Sequence, residues 1–302
     1  EKPRCPMKDA IDKNVRGIVL MVLAMASFAV ADALIKLSAA FLSAAQVLFF
    51  LNAGGLILFI LLAVLRKEPL WDPRVFAPAL LLRYAAEVVG MVGMVLALVY
   101  VPLSTVGAVT QATPLLVAVG AVLFFGETVG WRRWSAIITG FIGVLLVVQP
   151  STEGFDAAIL WAVLAMVGLS VRDLITRLTP AGMPSTSLAA YTMMAAVPFG
   201  AGWVLYNGED LIPAGANWLI VLPMVSLGAL GYILLITSIR MAEVSVVTPF
   251  RYSRIIFLLF FGVFLFDERP NWTMLTGAAL IIASGIYLIL RQRKVQRAAS
   301  EG

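Results

Sequence analysis

The sequence of 302 residues contains no histidine and only one cysteine, Cys5. Without histidine the chain lacks the commonest general base and the commonest metal ligand, and a single cysteine cannot form a disulfide within the chain. Charged residues are also scarce, at 13% against about 25% in soluble domains, whereas hydrophobic residues make up 61%. A soluble chain of this length would need far more polar surface, so the composition predicts an integral membrane protein.

Ten apolar runs account for most of the chain. Each has about 20 residues, the length of a helix that crosses a bilayer, whereas a membrane β-barrel would show alternating segments of roughly ten residues. The runs, numbered here as spans 1 to 10, are 17–38, 44–65, 75–99, 103–125, 131–149, 156–178, 184–206, 216–239, 244–266 and 271–291. The predicted fold class is therefore all-α, with ten transmembrane helices and with span 1 retained rather than cleaved as a signal peptide.

Lysine and arginine residues are distributed unevenly across the predicted membrane. If the spans alternate in direction, nearly all of those at or beyond the span ends fall on the side of the two chain ends, and only Lys36 and Arg269 fall on the other side. The positive-inside rule then places both termini in the cytoplasm. The same distribution explains the net charge of +5 without a nucleic acid partner, because the basic residues lie at span ends and in the tails.

Two segments of the chain repeat each other. Val22–Leu37 reads VLAMASFAVADALIKL and Val163–Leu178 reads VLAMVGLSVRDLITRL, so the second copy begins 141 residues after the first. One constant offset over a long stretch indicates an internal duplication. The offset aligns Asp32 with Asp173, Lys36 with Arg177, Gly90 with Gly231, Ser104 with Ser245, Glu127 with Glu268 and Trp131 with Trp272.

Each half of the chain is thus a unit of five spans. Because five is odd, the second unit must enter the membrane from the opposite face, and a pseudo-two-fold axis in the membrane plane relates the two units. Inverted repeats of this kind are typical of secondary transporters, whose substrate site lies near the midplane between the halves. We expect a cytoplasmic tail at 1–16, a first half at 17–149, a second half at 156–291 and a second cytoplasmic tail at 292–302.

The stretch from Ala97 to Val147 reads ALVYVPLSTVGAVTQATPLLVAVGAVLFFGETVGWRRWSAIITGFIGVLLV. It combines an Ala-Leu-x-Tyr entry, a small-residue helix with an internal proline, a Gly-Glu turn and a helix with spaced glycines. This pattern resembles the EamA-type half of the drug/metabolite transporter superfamily, and residues 238–290 repeat it with departures at Pro249 and Asp267. The resemblance implies a ten-helix metabolite transporter or exporter of the bacterial inner membrane. Its general character is closest to the amino-acid exporter branch, including the aromatic amino-acid and methyl viologen exporters.

Ionisable residues inside the spans are costly and usually face a partner or a cavity. Asp32 and Lys36, like Asp173 and Arg177, are four residues apart with the acid first, which puts each pair on one helix face. Each pair either steadies the packing near a helix end or acts as a charge switch on the translocation path. Arg172 has only an alanine at its repeat position, an asymmetry that favours a functional role.

Span 3 contains a second group of polar residues. Arg83 and Glu87 are again four residues apart, and Tyr84 lies beside them. Glu87 is the deeper of the two charges, so it must either titrate or meet a cation. The glycines that follow suit close helix packing. We expect Tyr84 and Glu87 to line the cavity.

Spans 4 and 9 are the matched pair whose centres differ most. Span 4 reads AVTQATP around Gln111, and span 9 reads PFRYSR around its aligned partner, Tyr252. Polar residues beside proline expose backbone carbonyls, which then need a polar neighbour or water. Packing alone does not require Arg251 and Arg254, so we expect them to line the cavity, where an arginine can hold a substrate carboxylate.

Aromatic and acidic residues complete the set of candidates. Aromatic side chains in the spans either wall the cavity or serve packing and the interfacial belt. The aromatic candidates are Tyr84, Trp161, Tyr232 and Tyr252. Glu127 and Glu268 come just before spans 5 and 10, where we expect them to cap a helix N-terminus rather than to bind substrate or a proton.

These features predict a secondary transporter that exports a small metabolite, most simply an amino acid, by alternating access around a midplane cavity. The chain has no Gly-Lys-Ser/Thr phosphate-binding motif, so a substrate or ion gradient would drive transport, with Asp32, Glu87 or Asp173 available for proton coupling. Nucleotide sugars, cationic drugs and other metabolites stay open as substrates. A membrane-embedded enzyme is disfavoured, because histidine and clustered carboxylates on one helix are lacking, and a channel or scaffold is a more distant alternative. We expect a monomer without a metal ion, a cofactor or a nucleic acid partner.

Overall fold

The computed structural model describes residues 6–126, 130–149, 156–176, 178, 183–242 and 244–300, and all regular structure in these ranges is helical. The uninterrupted spans are span 1 (Pro6–Ser38), span 2 (Ala44–Leu65), span 3 (Pro78–Tyr100), span 5 (Trp131–Val148), span 6 (Ile159–Thr176), span 7 (Ser185–Tyr206), span 8 (Trp218–Met241) and span 10 (Trp272–Ser300). A short 3-10 helix, Pro73–Phe76, joins spans 2 and 3. Ten helices in the described part of the chain are long and apolar enough to cross a membrane, which confirms the predicted fold class.

Spans 4 and 9 are interrupted helices. Span 4 consists of Leu103–Thr110 and Thr113–Phe125, and span 9 consists of Val244–Val247, the 3-10 helix Thr248–Tyr252 and Ser253–Phe266. Each interruption lies beside a proline, which has no N–H to donate and whose ring collides with the preceding turn. The two interruptions overlap when the repeat offset is applied, although Pro114 and Pro249 themselves are not at equivalent positions.

The helix ends also follow the repeat. Span 4 ends at Gly126 and the Ser253–Phe266 helix ends at Asp267, and both residues adopt the left-handed conformation, with φ of 65° and 52°. These positions are separated by the repeat offset. A left-handed residue directly after a helix is a common way to end it, and glycine or a short polar side chain tolerates that conformation best.

Contacts between the halves obey the expected symmetry. A methyl group on Gly90 would lie 3.0 Å from the side chain of Leu169, and one on Gly231 would lie 2.9 Å from the ring of Phe28. The repeat offset converts Gly90 into Gly231 and Phe28 into Leu169. Span 3 therefore meets span 6 in the same way as span 8 meets span 1. Such paired contacts are what a pseudo-two-fold axis between inverted halves produces.

Glycine residues let the helices of the two halves approach closely. A methyl group on Gly143 of span 5 would lie 2.7 Å from the carbonyl oxygen of Gly277 in span 10, and the reverse distance is 2.6 Å. Gly93 of span 3 packs in the same manner against the backbone of Ala165 in span 6. In lipid, where no hydrophobic force drives helices together, such small-residue contacts supply the packing energy.

Candidate functional site

A bridge of three charged side chains joins spans 3 and 6. Arg172 Nη1 lies 2.9 and 3.2 Å from the two carboxylate oxygens of Glu87. The other edge of the same guanidinium contacts Asp173 Oδ1, with Nε at 2.9 Å and Nη2 at 2.7 Å. Glu87 thus meets a cation, one of the two outcomes that its depth in span 3 predicted. The planar fork of arginine suits this double contact, which lysine cannot reproduce.

Arg83 is buried and donates to two hydroxyl groups. Its Nε lies 2.9 Å from Thr176 Oγ1 in span 6, and its Nη1 lies 2.7 Å from Thr192 Oγ1 in span 7. Neither threonine is among the candidates that the sequence alone marks. Their repeat positions are isoleucine and leucine, so the asymmetry between the halves was a signal that could have found them. Arg83 therefore ties spans 3, 6 and 7 together instead of binding Glu87 directly.

The structure gives Asp32 and Lys36 partners other than each other. Asp32 Oδ2 accepts bonds from Arg254 Nε at 3.0 Å and Nη2 at 2.6 Å. Lys36 Nζ donates to the carbonyl oxygen of Val101 at 2.6 Å and lies 3.9 Å from Glu268. The i,i+4 spacing did place both side chains on the inner face of span 1. It did not pair them, because each reaches a better partner on a neighbouring helix.

Asp173 and Arg177 stand at the positions that the repeat offset relates to Asp32 and Lys36. Arg177 lies outside the described residues. Within the described ranges, the ion-pair partner of Asp173 is its neighbour Arg172. The two aspartates at equivalent repeat positions therefore differ: Asp32 is held from across the molecule, and Asp173 is held by the next residue on its own helix.

Glu268 caps a helix, but that helix is span 4 and not span 10. Its carboxylate accepts bonds from the backbone N–H of Leu103, from the N–H of Ser104 at 3.0 Å and from Ser104 Oγ at 2.7 Å. Span 10 is capped by Asn271, whose Oδ1 accepts from the Met274 N–H at 2.7 Å. Glu268 thus joins the second half of the chain to the first on the face opposite the termini. Glu127, its repeat partner, lies outside the described residues.

The interruptions of spans 4 and 9 meet each other. Gln111 Nε2 donates to the carbonyl oxygen of Arg251 at 3.1 Å, which satisfies a backbone group that the irregular helix leaves free. The Arg251 side chain is exposed, and the charges of Asp173, Arg172 and Arg254 act on it. The region around Arg251, Gln111 and Asp173, where span 4 contacts spans 6 and 9, is called the vestibule below. Within the described residues, no carboxylate lies within salt-bridge distance of Arg251.

Tyr232 joins the charged group, whereas Tyr84 does not. The Tyr232 hydroxyl donates to the carbonyl oxygen of Ser185 at 3.3 Å, and the charges of Arg83, Glu87 and Arg172 act on it. Tyr84 is buried in a small apolar cluster with Val75, Leu80, Leu188 and Tyr191. Its hydroxyl has no hydrogen-bond partner within the described part of the chain. Tyr84 therefore packs among apolar side chains, and its expected role as a cavity wall stays a prediction.

The structure places Tyr252 and Trp161 in contacts outside the charged group. The Tyr252 hydroxyl packs directly on Gly285 of span 10, in the space that a side chain there would need. Trp161 lies near the N-terminal end of span 6, where it lines a groove of about 680 Å³ with Tyr100, Asp156 and Leu164. Eleven residues of helix, about 16 Å at 1.5 Å per residue, separate it from Arg172. Both aromatic residues therefore serve packing or the outer surface.

The geometry agrees with the family to which the sequence is similar. The pattern of the EamA-like transporter family matches twice, at residues 15–149 and at residues 156–291. The chain belongs to the EamA-like transporter family. It is therefore a transporter in two tandem halves, a multi-pass protein of the bacterial inner membrane, and not an enzyme.

Curated relatives cover nearly the whole chain. An S-adenosylmethionine uptake transporter of Rickettsia felis is 26% identical over 289 residues, which are 95% of this chain and 97% of that protein. A pseudopaline exporter of Pseudomonas aeruginosa is 26% identical over 92% of this chain and 97% of that protein. A riboflavin transporter of Rhizobium johnstonii is 28% identical over 72% of each chain. A solved structure with 17% identity superposes with a TM-score of 0.60 over 92% of this chain and 98% of that chain, which shows the fold alone.

Proposed function

We propose that this EamA-type transporter exports an amino acid or a closely similar metabolite through a vestibule between its two halves. The proposal rests on Arg251 in span 9. Its guanidinium is exposed and has no carboxylate partner among the described residues. An ionisable side chain within a membrane span usually faces the helix bundle or a water-filled cavity and pairs with a counter-charge. The planar guanidinium matches a carboxylate with two parallel hydrogen bonds, and a carboxylate is common to all amino acids.

The position of Arg251 suits a substrate site. It lies where the interruptions of spans 4 and 9 meet, and Gln111 fixes its backbone from the other half. Interrupted helices between inverted repeats form the substrate site in many secondary transporters. Both halves of this site come from one chain, so we propose a monomer as the working unit.

The names of the relatives support a metabolite of this kind. S-adenosylmethionine, the substrate named for the Rickettsia relatives, carries an α-amino acid group. The relatives include an uptake transporter and an exporter, so the direction of net flux is tested separately from the substrate. In a gradient-driven carrier, the same site binds substrate from either face, and the gradient sets the direction.

The test is counterflow into liposomes that contain the purified full-length protein and a saturating amino acid inside. We expect at least one of the twenty common L-amino acids to accumulate transiently in its radiolabelled form. Arg251→Gln should raise the apparent KM roughly 10- to 100-fold, because a hydrogen bond to a charged group contributes about 1.5–3 kcal/mol. Arg269→Gln, an exposed arginine after span 9, is the matched control and should leave the KM unchanged.

Three outcomes decide the proposal. Folded protein that shows no counterflow with any amino acid would refute the amino-acid substrate. An unchanged KM in Arg251→Gln would refute the site. Overexpression that raises the cellular content of the substrate, instead of lowering it, would show uptake and refute export.

A further inference from the structure

We infer that Asp173 and Arg251 are the two poles of a zwitterion-binding site and that Arg172 is a positioning residue for Asp173, an inference that rests on the proposed function. Asp173 would accept hydrogen bonds from the ammonium group of the substrate, and Arg251 would donate hydrogen bonds to its carboxylate. The proposed substrates are then a smaller class than the carboxylates in general. Each substrate must carry both a free ammonium group and a free carboxylate, a few bonds apart.

Asp173 keeps one carboxylate oxygen available. Both of its contacts with Arg172 use Oδ1, and within the described part of the chain Oδ2 receives no hydrogen bond. The side chain is 32% exposed, against 9% for Glu87 and 6% for Asp32. Asp173 is thus the carboxylate of the interior group that a cation can reach from the vestibule.

Arg251 is the complementary pole. Within the described residues, no salt bridge joins Asp173 to Arg251. Span 4 connects the two positions, because Gln111 contacts the backbone of Arg251 and the Thr113 carbonyl oxygen lies 3.4 Å from Ser170 Oγ, three residues before Asp173. The charge of Asp173 acts on the guanidinium across this separation. A zwitterion between the two side chains would give Arg251 a carboxylate partner and would give Asp173, which shares Arg172 with Glu87, a second cation.

The remaining charges of the group are already committed. Asp32 and Arg254 bind each other at 2.6 Å, and Glu87 takes both oxygens to Arg172. Arg172 is shared between Glu87 and Asp173, so this group of three carries one negative charge in excess, and Arg251 carries the matching positive charge.

Arg172 has two separable effects in this arrangement. It neutralises Glu87, which would otherwise compete for the substrate ammonium from a buried position. Its other edge holds Asp173 Oδ1 and thereby orients Oδ2. Because the repeat position of Arg172 is an alanine, the arrangement has no symmetry-related counterpart, and the site is asymmetric although the scaffold is symmetric.

The experiment compares three competitors in the counterflow assay with full-length protein. The probes are the amino acid with the largest counterflow, its N-acetyl derivative, which lacks the ammonium charge, and its amide, which lacks the carboxylate charge. With the unmodified protein, each derivative should compete about tenfold or more weakly than the parent, since each loses a charge-assisted contact.

Two variants separate the poles. Asp173→Asn should reduce the discrimination against the N-acetyl derivative to about threefold or less and leave the discrimination against the amide intact. Arg251→Gln should do the reverse. The matched controls are Asp210→Asn and Arg269→Gln, both exposed outside the spans, and both should retain the two preferences. If Asp173→Asn does not fold, Asp173→Glu takes its place in the test. This variant keeps the charge, and it should retain part of the discrimination against the N-acetyl derivative.

Arg172→Lys tests positioning. Lysine can neutralise Glu87 but cannot bridge two carboxylates, so discrimination against the N-acetyl derivative should weaken while discrimination against the amide stays. A purely structural role would lower the transport rate and leave both preferences unchanged.

The outcomes separate this inference from the proposed function. Amino-acid counterflow in which an N-acetyl derivative competes as well as its parent would overturn the zwitterion site and leave the amino-acid carrier standing. Equal preferences in Asp173→Asn and the unmodified protein would overturn the role of Asp173. The absence of counterflow with every amino acid would overturn the proposed function itself.

Discussion

Arg254 in span 9 holds its Nη2 atom 2.6 Å from Oδ2 of Asp32 in span 1, although the two residues are 222 positions apart in the chain. The Asp32 side chain is only 6% exposed, and the ring of Phe28 lies 5.4 Å from the guanidinium carbon. This ion pair ties the first helix of one half to the interrupted helix of the other.

Removal of one partner should leave the other as an unpaired charge in the interior. We expect Asp32→Asn and Arg254→Gln each to lower the free energy of unfolding by about 3–5 kcal/mol, the usual cost of breaking a buried ion pair. The double variant should lose much less than the sum, because neither charge then remains. Thermal unfolding of the four proteins in detergent gives the double-mutant cycle. Additive losses would show that the pair is not coupled.

The Glu268 cap should stabilise the face opposite the termini. Glu268→Gln loses the charge that interacts with Lys36 and with the N-terminal end of span 4, and we expect a loss of about 1–2 kcal/mol, as for other helix caps. Asp267→Asn is the matched control, since asparagine tolerates the left-handed conformation at that position. A melting temperature that falls as far in the control as in Glu268→Gln would contradict this role for the carboxylate.

The close approach of spans 5 and 10 should tolerate no side chain. In Gly143→Ala the new methyl group would lie 2.7 Å from a backbone oxygen of Gly277, so one helix must shift, at a cost of about 1–3 kcal/mol. Gly202→Ala in span 7 is the control, because open space surrounds that position. The measurement is the melting temperature in detergent, and equal values for both variants would show that the contact is loose.

The loop between spans 2 and 3 should show a simple pH dependence. Hydrogen bonds from the Arg74 side chain hold the pKa of the Asp72 carboxyl below its ordinary value. Stabilisation from a lowered carboxyl pKa is fully present above the ordinary pKa, and it is lost as the pH falls through the lowered one. The pair is exposed, so the effect on global stability should be small. Arg74→Gln should raise the Asp72 pKa towards its ordinary value in an NMR titration, and an unchanged pKa would exclude Arg74 as the cause.

The orientation predicted from charge can be tested with single cysteines. In a background with Cys5→Ser, Asp210→Cys should react with an impermeant maleimide from outside the cell. Arg66→Cys should react only after the membrane is permeabilised. The reverse pattern would invert the topology and place both termini outside.

The sequence predicted the ten spans and the duplication because both depend on local properties. A run of apolar residues long enough to cross a bilayer is visible without tertiary information, and a constant offset is visible by alignment. The structure shows what that offset means in space: the contact of Gly90 with Leu169 repeats that of Gly231 with Phe28. The sequence also marks Arg172 and the centres of spans 4 and 9 as places where the residues of the two halves differ, and their role in substrate binding stays a prediction.

The partners of the charged residues could not be predicted in the same way. Spacing along a helix shows that Asp32 and Lys36 share a face, but it does not show which side chains of other helices oppose that face. In a medium of low dielectric a charged side chain binds the strongest partner within reach. For Asp32 that partner is Arg254, 222 positions away in the chain. Glu268 was likewise expected to cap a helix, and only the fold decided that the helix belongs to the other half.

By itself, the sequence determined that this chain crosses the membrane ten times in two inverted halves. The length of an apolar run and an internal repeat are both properties of the order of residues along the chain. Tertiary structure alone decided that Arg172 neutralises Glu87, that Arg254 binds Asp32, and that Tyr252 packs on Gly285. The physical reason is that burying a charge or a ring requires a partner at contact distance. That partner is chosen by how the helices pack in three dimensions.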